Sequence, residues 1–147
     1  MQDPRLKIKE ITARQELESA FAIRHTVFII GQQVDPAIEM DEFDTTATHI
    51  LATIGDTPVG TARWRSTPQG TKLERFAVLD EYRGRGVGRA LVEAVLERID
   101  LRQPAYLNGQ LAVMPFYEKL GFVAEGDVFY EANIPHRRMV LTQKESD

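Results

Sequence analysis

The stretch ERFAVLDEYRGRGVGRALVEAVL, from Glu74 to Leu96, constrains the fold more than any other part of the chain. It reads as a strand that runs out at Val78, a short loop holding Arg83, and a glycine-rich turn that opens directly into a helix. The helix carries an apolar stripe at Val87, Leu91, Val95 and Ile99, widened by Val92 and Leu96. Glycine removes the side chain where a backbone must come close to a bulky ligand. The first N–H groups of a helix lack intrahelical partners and lie at the positive end of its dipole. Strand, glycine turn and helix start together make a cradle for an anion such as pyrophosphate, to which Arg83, Arg85 and Arg89 add charge. Glycines that only cap a loop and a helix would give the same short text, so this motif alone leaves both readings open.

The surroundings narrow the choice. No Walker lysine followed by Ser or Thr is present, which argues against a P-loop. A dinucleotide fold would place the glycine turn in an alternating parallel strand–helix chain. Here it follows strand patterns at 49–54, 59–65 and 71–78, joined by the turns GDTP and TPQG as an antiparallel meander. Before the meander, LKIKEI at 6–11 alternates as a half-buried strand does. A capping box at Thr12 and Gln15 then opens a helix with Leu17, Ala20, Phe21, Val27 and Phe28 at helical spacing. Residues 31–46 read as an acidic loop carrying Asp35, Glu39, Asp41, Glu42 and Asp44.

After the glycine turn the pattern continues with a strand at 105–111 and a short helix, PFYEKL, with Pro115 in its first turn and Gly121 as its stop. FVAEGDVFYE and HRRMVLT follow as two further strands. The fold class is therefore α+β: a single domain with a mixed central β-sheet flanked by helices. A chain of 147 residues with no linker-like stretch fits one domain, placed at 5–142, with a polar C-terminal tail at 143–147.

Composition removes several classes of function. With no cysteine, a disulfide framework, a thiolate zinc site and a cysteine nucleophile are all excluded. A net charge of −4 offers no basic excess for nucleic acid. No apolar run is long enough to span a bilayer and the N-terminus has no secretory pattern, so a cytoplasmic location with no membrane partner is expected. His25, His49 and His136 match no zinc spacing, so no metal is expected.

Two motifs in order carry a resemblance. Arg83-x-x-Gly86-x-Gly88 after the strand LERFAV, and FYEKLGF at 116–122, resemble the acyl-CoA loop and the second signature of the GNAT superfamily of N-acetyltransferases. The segments VFIIGQQVD, EMDEFDTTATH, Gln110 and IPHRRM further resemble its ElaA-like branch. A cysteine and a second histidine recurrent in that branch are absent, with Val34 and Ala112 near their places, so no role of theirs carries over.

The resemblance implies a GNAT-like domain that uses acetyl-CoA as co-substrate. It implies that the backbone of Phe76, Ala77 and Val78 pairs with the pantetheine arm. The diphosphate would then rest on the loop Arg83, Gly84, Arg85, Gly86, Val87 and Gly88, and the thioester near Val78 and Leu107–Asn108. Asn108 is a further candidate contact to pantetheine, or else a residue serving a bend beside Gly109.

Acetyl transfer to an amine needs a neutral nucleophile, a stabilised oxyanion and a proton for the leaving thiolate. An alkylammonium has a pKa of about 10.4, so a base must accept its proton near neutrality. Glu74, two positions before Phe76 and expected on the same face as it and Lys72, is the candidate base, acting through water. A paired surface carboxylate is the plainer reading of the same residue. Tyr117 is the candidate general acid, a role the superfamily often gives this tyrosine; a half-buried packing aromatic is the alternative. Phe116, Trp64, Met114 and Met139 are expected to pack.

The acidic run at 35–44 either attracts an ammonium-bearing acceptor or is simply a solvated loop, and the solvated loop is the expectation. His49 and His136 are candidates to line the acceptor pocket. The functional expectation is direct transfer of acetyl from acetyl-CoA to a primary amine, on a small molecule or a peptide, in a ternary complex. A CoA-sensing module without turnover and a transferase for longer acyl groups are the alternatives. A homodimer through an exposed strand edge is a further expectation.

Overall fold

The computed structural model describes residues 2–142, so the tail expected at 143–147 lies outside the described residues. Seven strands form one sheet: β1 (Leu6–Glu10), β2 (Thr48–Ile54), β3 (Thr57–Thr67), β4 (Gly70–Val78), β5 (Ala105–Gln110), β6 (Phe122–Glu131) and β7 (Ile134–Leu141). Their spatial order is β1-β2-β3-β4-β5-β7-β6. All neighbours are antiparallel except β4 and β5. The helices are α1 (Arg14–Arg24), α2 (Pro36–Glu39), α3 (Val87–Arg98) and α4 (Met114–Lys119). The meander, the crossover helix after the glycine turn and the final hairpin match the α+β reading of the sequence.

The start of α1 differs from expectation by one residue. Ala13 is its cap, and the carboxylate of Glu16 accepts the N–H groups of Ala13 (3.1 Å) and Thr12 (3.2 Å). Glu16 therefore does the work expected of Gln15, because a charged acceptor binds free N–H groups more strongly. Beyond Arg24 the chain continues through a wide π-helical turn, His25–Ile30.

The segment expected as an acidic loop is more ordered than its composition suggests. Asp35 caps α2 by accepting from Ala37 N–H (2.9 Å), with Pro36 suited to the first turn. Asp41 similarly accepts from Phe43 N–H (3.1 Å) at the start of a 3₁₀ turn, Glu42–Thr45.

Two apolar clusters fill the two faces of the sheet. On one face Leu91, Val92 and Val95 of α3 meet Ile50, Val59, Leu73 and Leu107. On the other, Ala20 and Ile23 of α1 meet Leu51 and Ala77. Strands β4 and β5 pair only at Thr71↔Ala105 and Lys72↔Tyr106 and diverge beyond them.

Between β3 and β4, Thr61 faces Ala77 whereas Arg63 faces Glu74, so three steps on β4 match two on β3. The additional residue makes a β-bulge, and Arg75 within it has φ +59°, in the left-handed region. Among the described residues, no helix is long and apolar enough to cross a membrane.

Candidate functional site

The divergence of β4 from β5 opens a cavity of about 590 Å³. Leu73–Val78 form one side, Leu107, Asn108 and Gln110 the other, and Arg83, Gly84 and Gly86–Arg89 the rim, while Arg85 is not among the lining residues and turns to Asp3 and Tyr82. Phe116 and Tyr117 of α4, with His136 and Glu131 from the β6–β7 hairpin, line its far side. Val27, Phe28, Val34 and Ile38 provide an apolar wall from the α1–α2 region. Most of the residues singled out in the sequence thus converge on a single cleft.

The glycine loop has the geometry an anion requires. Gly84 (φ +78°) and Gly86 (φ +79°) occupy left-handed backbone that L side chains rarely adopt. The first helical bond of α3 runs from Ala90 N–H to the Gly86 carbonyl at 3.0 Å. Among the described residues, the N–H groups of Gly84 through Gly88 donate to no carbonyl, leaving them available at the positive end of a 12-residue helix. Arg83 and Arg85 remain largely exposed, held by Asp80 (3.2 Å) and by Asp3 (3.8 Å). This loop therefore fits a diphosphate group. The β4 edge fits an extended arm as well, because its outer backbone past Lys72 has no strand beside it.

Tyr117 is buried and edge-packed against Phe76, Phe116 and Phe122, with centroids 5.0–6.1 Å apart. That burial raises its phenol pKa above the ordinary value, so the hydroxyl stays protonated and can donate. Asn108 donates from Nδ2 to Glu131 Oε1 (3.0 Å) and points into the cleft from β5. Gln110 and Gln32 exchange amide hydrogen bonds of 3.0 and 3.3 Å, tying β5 to the apolar wall.

Glu74 stands elsewhere than the spacing suggested. The bulge at Arg75 breaks the alternation, so Phe76 joins the α3 and α4 cluster while Glu74 turns to the opposite face with Lys72. There its carboxylate receives Arg63 Nε (2.7 Å), Arg65 Nε (3.0 Å) and Lys72 Nζ (3.2 Å). Burial would raise its pKa, but the charges of Arg63, Lys72 and Arg65 outweigh this and lower it. A carboxylate held ionised by three cations is an anchor and a weak proton acceptor.

That anchor belongs to a larger network, which also corrects the reading of the acidic run as solvated. Arg24, fully buried, reaches Glu39 Oε2 (3.0 Å) and Asp44 Oδ1 (2.6 Å). Arg63 reaches Asp41 Oδ1 (2.8 Å) and Asp44 Oδ1 (2.7 Å), and Arg75 reaches Glu39 Oε2 (2.9 Å). Three carboxylates of the run thus pair with arginines from α1, β3 and β4, which leaves them unavailable to attract an ammonium. Composition shows the acidic residues, but not that arginines from 15 to 36 positions away in sequence meet them.

Other expectations divide. Phe116, expected to pack in the core, is 37% exposed and lines the cleft, because α4 turns Tyr117 inward instead. His136 lines the cleft, with Nδ1 2.6 Å from the Ile134 carbonyl. His49 does not; it is buried behind the sheet, its Nε2 3.0 Å from the Asp44 carbonyl, and edge-packed on Phe21. Among the described residues no group of three His, Asp or Glu side chains converges as metal ligands do. Glu131 and Gln32 also line the cleft; neither is among the site residues expected from the sequence, and nothing local in the sequence marks Glu131. The hairpin register sets the position of Glu131 at the end of β6, whereas Gln32 falls within the segment VFIIGQQVD that carries part of the resemblance.

The comparisons agree with this geometry. A family model described as acetyltransferase (GNAT) domain matches residues 13–143. A candidate acetyltransferase of Bacillus subtilis (strain 168) is 43% identical over 97% of this chain and 98% of its own length. The crystal structure of Escherichia coli ElaA superposes with a TM-score of 0.83 at 25% identity, covering 93% of this chain and 99% of that one. A GNAT family acetyltransferase from Elizabethkingia anophelis, solved with acetyl-CoA bound, shares the fold with a TM-score of 0.70 at 16% identity, over 94% of this chain and 96% of that one. Cleft, bulged strand and glycine cradle lie within the matched span, and the chain belongs to the GNAT acetyltransferase family of acyl-CoA N-acyltransferases.

Proposed function

We propose that the protein transfers the acetyl group of acetyl-CoA to a primary amine by direct attack in a ternary complex. The observation that carries this reading is the unpaired outer edge of β4, continuous with the free N–H groups of the glycine loop. An extended arm ending in a diphosphate matches both features at once. The neighbour of the same fold that holds acetyl-CoA supports acetyl as the donor group.

When bound, acetyl-CoA supplies an activated thioester carbonyl. In this reading the backbone of Phe76, Ala77 and Val78 aligns the pantetheine arm, and Asn108 offers it a polar side chain. Arg83 to Gly88 hold the diphosphate. Tyr117 donates its proton to sulfur as the C–S bond breaks, since its buried phenol carries that proton in the resting enzyme. Direct transfer fits a chain without cysteine, which can form no thiol-linked acyl intermediate. Glu74, itself in the cleft wall, enters as the anchor of the surrounding cations. The acceptor is a small-molecule or peptide amine that enters along the wall of Val27, Phe28, Val34 and Ile38.

Calorimetric titration with acetyl-CoA, followed by thiol detection against a panel of primary amines, tests this reading. Binding followed by thiol release supports transfer, and a failure to bind overturns it. Binding without release across the panel moves the reading to a sensing module. Faster release from a longer acyl-CoA reassigns the donor.

A further inference from the structure

We infer that His136 takes the proton from the acceptor ammonium through Nε2, with Glu131 stabilising the imidazolium that forms. This inference rests on the acetyl-transfer reading and supplies the base that Glu74, fully engaged by cations, does not.

The geometry sets the tautomer. His136 Nδ1 lies 2.6 Å from the carbonyl oxygen of Ile134, and a carbonyl only accepts, so Nδ1 carries a proton. In the neutral ring the lone pair must then reside on Nε2. Phe129 stacks on the ring, centroids 6.0 Å apart and planes 20° from parallel, which fixes its orientation. His136 lines the same cleft as Tyr117 and the β4 edge.

Glu131 completes the arrangement. Its Oε2 lies 4.0 Å from His136 Nε2, while its Oε1 accepts from Asn108 Nδ2 at 3.0 Å. No arginine or lysine among the described residues pairs with Glu131, so its charge is free to stabilise a protonated imidazole. The other charges around the ring are already compensated. Arg138 on β7 pairs with Glu125 on β6 (3.1 Å), and across the cleft Lys72, Glu74 and Glu39 belong to the arginine–carboxylate network. Gln110, opposite His136 on β5, is neutral.

The protons balance over one turnover. His136 Nε2 accepts one proton from the ammonium and the amine lone pair becomes available. Nitrogen attacks the thioester carbon, the C–N bond forms and the C–S bond breaks. Sulfur gains a proton from Tyr117, which regains one from the nitrogen, and His136 returns its proton to solvent.

Two measurements test the assignment. Nitrogen NMR of the imidazoles, with His136 assigned by its loss in His136→Asn, needs no acceptor. A neutral ring protonated at Nδ1 is expected, and one protonated at Nε2 overturns the inference. The pH dependence of kcat/KM is then compared for the wild type, His136→Asn, His136→Gln and Glu131→Gln, using the best amine of the panel. For both His136 variants a loss of about a hundredfold at pH 7 is expected, closing toward pH 9.5 as the amine deprotonates unaided. For Glu131→Gln a smaller loss in the same direction is expected at pH 7, because the carboxylate beside Nε2 no longer stabilises the positive charge that forms there. An equal loss at every pH, or none, overturns the role. Acetyl-CoA calorimetry on the same samples separates the two readings. Wild type that fails to bind rejects the transferase reading, whereas binding with unchanged His136 variants rejects only this inference.

Discussion

Arg63 and Glu74 stand opposite each other on β3 and β4, joined by a 2.7 Å hydrogen bond at the last regular pair before the chain turns left-handed at Arg75. The pair ends the regular register, and the bulge that follows sends Phe76 toward α4 and leaves Arg75 free to reach Glu39 (2.9 Å). Strand geometry next to the cleft is thus coupled to a buried ionic network rather than to apolar packing alone. Such a network is costly to desolvate, and breaking one member leaves the others as uncompensated buried charges.

Replacing Arg63 is accordingly expected to be among the most damaging changes in the protein. Arg63→Ala takes the buried cation shared by Asp41, Asp44 and Glu74 from all three at once and should cost about 3–5 kcal/mol of folding stability. Urea denaturation monitored by circular dichroism measures this. A loss below about 1 kcal/mol, the ordinary value for exposed ion pairs, would show the network to be solvated.

Glu74→Gln separates anchoring from proton transfer. Loss of the anchor predicts a lower denaturation midpoint, with a kcat/KM deficit of similar size at every pH. A base acting through water predicts a deficit concentrated at low pH. The comparison requires only the pH–rate profile and the melt of one variant.

Stability should fall in two stages as the solution is acidified. Burial depresses the His49 pKa below 6.5, so its neutral form stabilises the fold above that value and the contribution begins to be lost below it. Asp41 is held at about 2 against 3.8 because Arg63 and Arg75 outweigh its desolvation, and Asp44 and Glu74 are lowered for the same kind of reason. Depressed carboxylates stabilise above their unfolded pKa values, so the second loss falls between about pH 4 and pH 2. Thermal melts across pH 2–8 check both stages, and His49→Gln should remove the first.

Tyr117→Phe should lower kcat by roughly a hundredfold or more, the range of general acid catalysis, with acetyl-CoA affinity within about twofold of wild type. The packing of the ring against Phe76, Phe116 and Phe122 survives this substitution, so stability is expected to change little. Stopped-flow single turnovers and calorimetry separate the two effects. An unchanged chemical step would remove the phenol from the mechanism.

At the cradle, Gly86→Ala places a side chain at φ +79° and brings its Cβ to 3.1 Å from Gln2 Cα, whereas Gly84→Ala at φ +78° meets nothing within 4 Å. Each should cost about 1–2 kcal/mol in backbone strain. Gly86→Ala should also weaken acetyl-CoA binding more, since the N-terminal segment packed on the loop must move. Equal Kd values for the two variants would contradict this ordering.

Much of this protein is decided by local text. The meander, the stripe on α3 and the glycine turn are each written within a dozen residues, where backbone preference and hydrophobic period act directly. A cradle built mainly from backbone N–H groups needs no distant partner, and so Gly84 to Gly88 are recognisable from the amino-acid order alone. Tyr117 is legible in the same way, within a short motif on a short helix.

The remainder depends on residues brought together from far apart. Alternation placed Glu74 beside Phe76, and a single extra residue at Arg75 reversed it, because the pleat has a period of two and one insertion exchanges the faces. The acidic run read as solvated because its arginine partners lie on α1, β3 and β4, and Coulomb attraction depends on distance in space rather than in sequence. The orientation of His136, on which its proposed role rests, depends on the turn carbonyl of Ile134 and the hairpin that presents Glu131. Sequence determined the fold and the glycine loop, whose interactions are local. Tertiary structure decided which carboxylates are held ionised and which side chains line the cleft, since burial and charge pairing arise only when distant segments meet.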